Sequence, residues 1–110
     1  MENKLGKIRK IGFGYGGYQD AMFGLSLEFS FGSGRVADFK GSWGVDMKPS
    51  EHAEWDEAVR SRIFDETMRF INQMLIEAKK RDISELVNVP VEVTFEGNVL
   101  KSWRILTEVI

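Results

Sequence analysis

Glycines interleaved with aromatic rings are the part of this chain best suited to chemistry, in the run Ile11-Gly12-Phe13-Gly14-Tyr15-Gly16-Gly17-Tyr18-Gln19-Asp20-Ala21-Met22-Phe23-Gly24-Leu25. Gly12, Gly14 and Gly17 have the spacing G-x-G-x-x-G. In a dinucleotide-binding fold that pattern follows a strand and opens a helix, whose first amides hold pyrophosphate. The helix is missing here. Phe23, Leu25, Leu27, Phe29 and Phe31 alternate with Met22, Gly24, Ser26, Glu28 and Ser30, a period of two that describes a half-buried strand. The glycines therefore join two strands, and two uses for them stay open. Gly16-Gly17 supplies positive φ for a hairpin, or it lets a ligand reach the backbone while Phe13, Tyr15, Tyr18 and Phe23 offer flat surfaces for a base. The second use suits a nucleotide-like ligand.

Arginine is the natural partner for such a ligand's phosphates, because its planar fork grips them bidentately. Arg104 stands beside Trp103 in an apolar strand, where a charge needs a partner. That partner is either a carboxylate such as Glu92 or an anionic ligand. Arg60, Arg62 and Arg69 read as the solvated face of a helix; packed about a symmetry axis they would form a basic cavity, with Arg60 and Arg62 as a second anion site. Catalytic groups are scarce. His52 is the only histidine and there is no cysteine, so a transition-metal site is not expected. No G-x-S-x-G accompanies that histidine, and a kinase reading of the glycine loop lacks H-R-D and D-F-G. Asp20, Asp38 and Asp46 lie at expected strand ends, as turn-forming carboxylates or as an acid-base pair.

The 110 residues, 43% hydrophobic with eight phenylalanines, suffice for one domain covering 1–110. Fifteen Lys and Arg against seventeen Asp and Glu leave no field strong enough to draw a nucleic acid polymer or an anionic membrane. The absence of cysteine fits a cytosolic setting. No apolar run approaches the roughly 20 residues that span a bilayer, and Met1-Glu2-Asn3-Lys4 does not open a signal peptide.

Nine of the eleven glycines fall between Gly12 and Gly44, and none between Pro49 and Pro90, so sheet precedes helix. Strands are expected from about Lys7 to Tyr15, Ala21 to Phe31 and Val36 to Val45. Ile11, Phe13 and Tyr15 share one face, and Ala37, Phe39, Gly41, Trp43 and Val45 share another. Ser50 reads as a helix cap, with Glu51 and Glu54 in the first turn and Lys79, Lys80 and Arg81 at the far end. Between them Trp55, Val59, Ile63, Met68, Ile71, Leu75 and Ala78, widened by Phe64, Phe70 and Met74, make an apolar stripe. Some thirty residues would give a helix of ~45 Å, longer than a small sheet covers, and a homo-oligomer would bury the excess. After a turn at Ser84-Glu85-Leu86, strands are expected from Val89 to Phe95 and from Val99 to Val109, joined at Glu96-Gly97-Asn98. Trp103, Ile105 and Val109 alternate with Leu100, Leu106 and Ile110, so the last strand is read as central or in an interface, with a buried end. The fold class is α+β: an antiparallel sheet in βββαββ order with one long helix packed on it.

Two segments, Gly14-Tyr15-Gly16-Gly17-Tyr18-Gln19-Asp20-Ala21-Met22-Phe23-Gly24-Leu25 and the stretch from Val91 through Asn98 and Arg104 to Leu106, carry a resemblance that covers most of the chain. It resembles the first type of phage Thoeris anti-defence protein, sponges for cyclic ADP-ribose isomers made by a bacterial immune system. The resemblance implies an oligomer, with pockets between protomers, that sequesters its messenger in the host cytosol without catalysis or cofactor. From the residue chemistry, the candidate ligand-binding set is Phe13, Tyr15, Gly16, Gly17, Tyr18, Gln19, Asp20, Phe95, Asn98, Trp103 and Arg104, with Arg60 and Arg62 as the possible second anion site. The alternative is a structural or protein-interaction module of phage origin with no small-molecule ligand.

Overall fold

A strand of period two puts its apolar side chains on one side, so a sheet of such strands has to be covered on only one face. The computed structural model, which describes residues 1–49 and 55–110, meets that demand with a single helix. Strands β1 (Glu2–Gly16), β2 (Met22–Phe31), β3 (Gly34–Trp43), β4 (Pro90–Glu96) and β5 (Val99–Ile105) form an antiparallel sheet in the order β3-β2-β1-β4-β5. Helix α1 (Glu57–Ala78) comes between β3 and β4 in the chain. Met74 and Ala78 are buried with the strand residues, and Phe70, Ile71 and Leu75 pack against them. The protein is therefore α+β, in the expected βββαββ order. Among the described residues no helix is long and apolar enough to cross a membrane.

The face under the helix holds Ile8, Leu25, Leu27, Phe29, Val91, Val93, Phe95 and Ile105, all buried. Two irregularities decide which side chains reach it. In β1 the register slips between Ile8 and Lys10, so Arg9 is the extra residue of a bulge and the alternation is reset. Ile8 before the bulge and Ile11, Phe13 and Tyr15 after it face the same way, opposite Phe29, Leu27, Leu25 and Phe23. In β5 the pairing slips between Thr94 and Phe95, bringing Leu100 opposite Phe95 and, two positions on, Ser102 opposite Thr94. Leu100 thereby joins the core from what had read as the other face.

Of the two places expected for the last strand, central or in an interface, the central one is not met. β5 is an edge strand, not a central one, and it ends at Ile105, where the chain turns into a 3-10 segment, Thr107–Val109. Val109 is 66% exposed, so the end of the chain is not buried.

The helix departs from expectation too. Asp56 is its cap, accepting from the Val59 amide at 2.9 Å, which satisfies one of the free donors of the first turn. Trp55 precedes the cap and is not part of the stripe. Twenty-two residues make α1 about 33 Å long, shorter than the ~45 Å expected. At its far end Lys79 adopts left-handed geometry, and the Lys80 amide donates to Leu75 O. Ser50, Glu51, His52 and Glu54 lie outside the described residues.

Close approach of strands, not only turn geometry, explains the glycine content. A side chain at Gly24 would run into the Lys40 carbonyl, and one at Gly41 into the Phe23 carbonyl. Gly17 has φ 65° in the link from β1 to β2, the left-handed conformation that favours glycine.

Candidate functional site

Resetting β1 at the Arg9 bulge places two rings, Phe13 and Tyr15, beyond the part of the sheet that the helix fully covers. Phe13 is 43% exposed and Tyr15 61%. Phe23, opposite Tyr15 on β2, stands between them: its ring centroid is 5.1 Å from Phe13, 5.5 Å from Tyr15 and 6.3 Å from Phe64 of α1, each edge to face. Thr67 and Met68, one turn after Phe64, close the helix side, and Val45 closes the loop side. Together with the Gly24 backbone they line a cleft of about 380 Å³.

Its chemistry is shape and stacking. No lining residue carries a charge. The Thr67 hydroxyl is already used, donating to Ile63 O at 2.8 Å, which leaves the Tyr15 phenol as the polar side-chain group at the mouth. Offset and edge-on rings of this kind accept a flat aromatic or an apolar side chain.

Arg60 fixes the loop that carries Val45. It is a buried side chain, 5% exposed, so it does not belong to a solvated face. Its Nη1 donates to Gly44 O and, at 2.7 Å, to Met47 O; its Nε and Nη2 donate to Glu57. The guanidinium lies 5.0 Å from the centroid of the Trp55 ring, which stacks on Trp43 at 6.1 Å. Tyr18 meets Trp43 edge-on at 6.4 Å, in a second aromatic cluster apart from the cleft-lining rings. Arg62 and Arg69 do lie on the exposed face, paired with Glu66 at 3.7 Å and Asp65 at 2.9 Å.

The remaining nominated residues are dispersed. Gly16 and Gly17 lead into a 3-10 turn, Tyr18–Asp20, in which Gln19 and Asp20 both have φ 53°. Phe95 is 7% exposed and packs on Phe31 with centroids 5.1 Å apart. Asn98 is exposed in the turn between β4 and β5. Trp103 wedges between Phe29 and Phe70 and donates Nε1–H to Asp38 at 3.2 Å. Asp38 is thus a mid-strand acceptor facing the helix, not a strand-end carboxylate. Phe95 sits opposite Glu2, and the strand from Glu2 to Tyr15 reaches up to about 40 Å at roughly 3.3 Å per residue. Within one chain Phe95 and the Phe13–Tyr15 group therefore do not meet on one small molecule, and Trp103 packs on Phe29, opposite Ile8.

Arg104 has its counter-charges within the chain. Nε donates to Glu92 at 3.1 Å, while Nη1 and Nη2 donate to the two oxygens of Glu108 at 3.0 and 2.9 Å. The hydrogen bonds from Arg104 hold the Glu108 carboxyl well below its ordinary range, at about 2; those same bonds, Glu108 first and then Glu92, raise Arg104 above its usual value. Among the described residues no group of three or more His, Cys, Asp or Glu is placed to share a metal ion.

Sequence reasoning missed Val45, Phe64, Thr67 and Met68 as parts of the cleft. The signal for two of them was present, since Phe64 and Met68 widen the helix stripe beyond what the sheet beneath covers. Comparison with family models, with curated proteins and with solved structures gave no match.

Proposed function

We propose that the protein is a non-catalytic binding protein that holds the flat base of a cyclic nucleotide messenger in the cleft of Phe13, Tyr15, Phe23 and Phe64. The observation that carries this reading is the cleft itself: three rings of the sheet and one of the helix around about 380 Å³, with two of the rings left exposed. Uncharged, stacking walls bind and do not transfer protons, which suits sequestration. The resemblance to phage Thoeris anti-defence proteins supplies the ligand class, cyclic ADP-ribose isomers, and the setting, a host bacterial cytosol. Phosphates stay at the solvent mouth, and Arg104, held by Glu92 and Glu108, is left out of the site.

A second reading takes the cleft as a socket for an apolar side chain of another protein, favoured by the lack of any charged lining residue to meet phosphate. Thermal shift against a panel of cyclic ADP-ribose isomers and cyclic oligonucleotides separates the two. A ligand at 100 times its dissociation constant adds about 2.7 kcal/mol, and Phe64→Ala is expected to remove the shift. If no nucleotide in the panel raises the melting temperature, the first reading fails.

A further inference from the structure

β1 is paired on both edges only where its two ladders overlap, at Lys7. Its residues Glu2–Lys7 pair with β4 on one side, and Lys7–Gly16 pair with β2 on the other. Ile8 is the last residue held on the β4 side: its amide donates to Val89 O at 3.0 Å and its carbonyl accepts from Asn88 at 2.7 Å. Beyond it, among the described residues, no strand lies beside Lys10–Gly16. In an L-chain strand, residues that face the same way direct their N–H and C=O to the same edge. Ile11, Phe13 and Tyr15 face as Ile8 does, so their backbone groups point at this open edge.

Such an edge normally carries protection: a proline, inward charges, or a covering loop. This one has none in its own sequence from Ile11 to Gly17, where every residue is glycine, aromatic or isoleucine. Exposed Phe13, Tyr15, Val45 and Met68 flank it on the helix side.

We infer that this edge pairs with the same edge of a second copy, antiparallel about a two-fold at Phe13, making one continuous ten-stranded sheet. That register uses the whole of Lys10–Gly16 and is self-complementary. Phe13 faces Phe13, Ile11 faces Tyr15, and Lys10 faces Gly16, so no like charges oppose. The outward groups of Ile11, Phe13 and Tyr15 then make about six interchain hydrogen bonds. Aromatic and β-branched residues meet across the ladder, a pairing that stabilises sheets. The two clefts, both on the helix side, come next to each other across the two-fold, each bordered by Ile11 and Tyr15 of the other copy. This inference goes beyond the ligand reading and is tested without any ligand.

The same register puts Gly12 of one copy opposite Gly14 of the other, on the far side of the sheet from the helix. A side chain at either position meets nothing within 4 Å in the isolated chain, so charges placed there leave the monomer fold intact. The double variant Gly12→Glu, Gly14→Glu sets like charges face to face twice; Gly12→Lys, Gly14→Glu sets opposite charges face to face instead. Sedimentation at micromolar concentration is expected to show the wild type and the Lys/Glu variant as dimers or larger even assemblies, and the Glu/Glu variant as a monomer with an unchanged circular dichroism spectrum. A monomeric wild type would overturn the inference, as would a Glu/Glu variant that assembles like the wild type, since the contact would then lie on another surface.

Discussion

Two arginines that look alike in the sequence have opposite situations, and each makes a measurable prediction. Arg60 is buried and its donors are spent on Gly44 O, Met47 O and Glu57. Arg60→Met leaves two loop carbonyls without their charged donor, so a loss of about 2–3 kcal/mol is expected in urea denaturation, the range for hydrogen bonds to charged groups. Arg62→Met, on an exposed helix face, should stay within ~0.5 kcal/mol. Equal losses would contradict the clamp. Arg104 differs again, since it is exposed and works through Glu108. A carboxyl depressed to about 2 adds stability that is present above its ordinary range and is lost as pH falls towards 2. An NMR titration should find Glu108 ionised down to the bottom of that range, and Arg104→Met should raise it towards ordinary carboxylate behaviour, since the Arg104 bonds are the largest cause of the depression. Because Arg104 is remote from the cleft, the same variant should leave ligand affinity unchanged.

At the scale of elements, the strands were readable because period-two patterning and burial are the same fact seen twice. Leu25, Leu27 and Phe29 alternate in sequence and are buried in the fold. The start of the helix was not readable. A tryptophan in phase with an apolar stripe looks helical whether it packs from the helix or, as Trp55 does, from the loop onto Trp43. Ser50 and Asp56 are equally good caps by residue type, and only the Asp56 bond to the Val59 amide distinguishes the one observed. Asp56→Ala is therefore expected to cost about 1 kcal/mol, measured by thermal or urea unfolding; no loss would mean that another residue caps the helix. The two-sided look of β5 misled for a different reason. One slip in pairing turns Leu100 to the core, and a bulge leaves no mark in composition. The cleft was half legible, because Phe13, Tyr15 and Phe23 announce themselves as rings among glycines. Phe64 and Met68 are about fifty positions later in the chain, and no local pattern says which part of a sheet a helix will cover.

Across the whole molecule, the sheet is longer than its cover. Its β4 side supports β1 only to Ile8, and the three-stranded remainder carries both the cleft and the open edge. Amide exchange can report on this directly. Leu25 and Leu27 lie in β2, paired on both sides by β1 and β3, and are fully or almost fully buried, so their amides should be slow in any state of assembly. Ile11, Phe13 and Tyr15 direct their amides to the edge, so in the Gly12→Glu, Gly14→Glu variant they should exchange as freely as loop amides. In the wild-type assembly the same three amides become ladder donors, and local opening then requires breaking interchain bonds. The expected pattern is protection at alternate residues of Ile11–Tyr15 that appears with the wild type, is lost in the Glu/Glu variant and is regained in the Lys/Glu variant. Slow exchange at these three amides in a demonstrated monomer would mean that the edge is covered from within the chain. Fast exchange in a demonstrated oligomer would place the contact elsewhere, and the exposed rings of the cleft would then be left to the ligand alone.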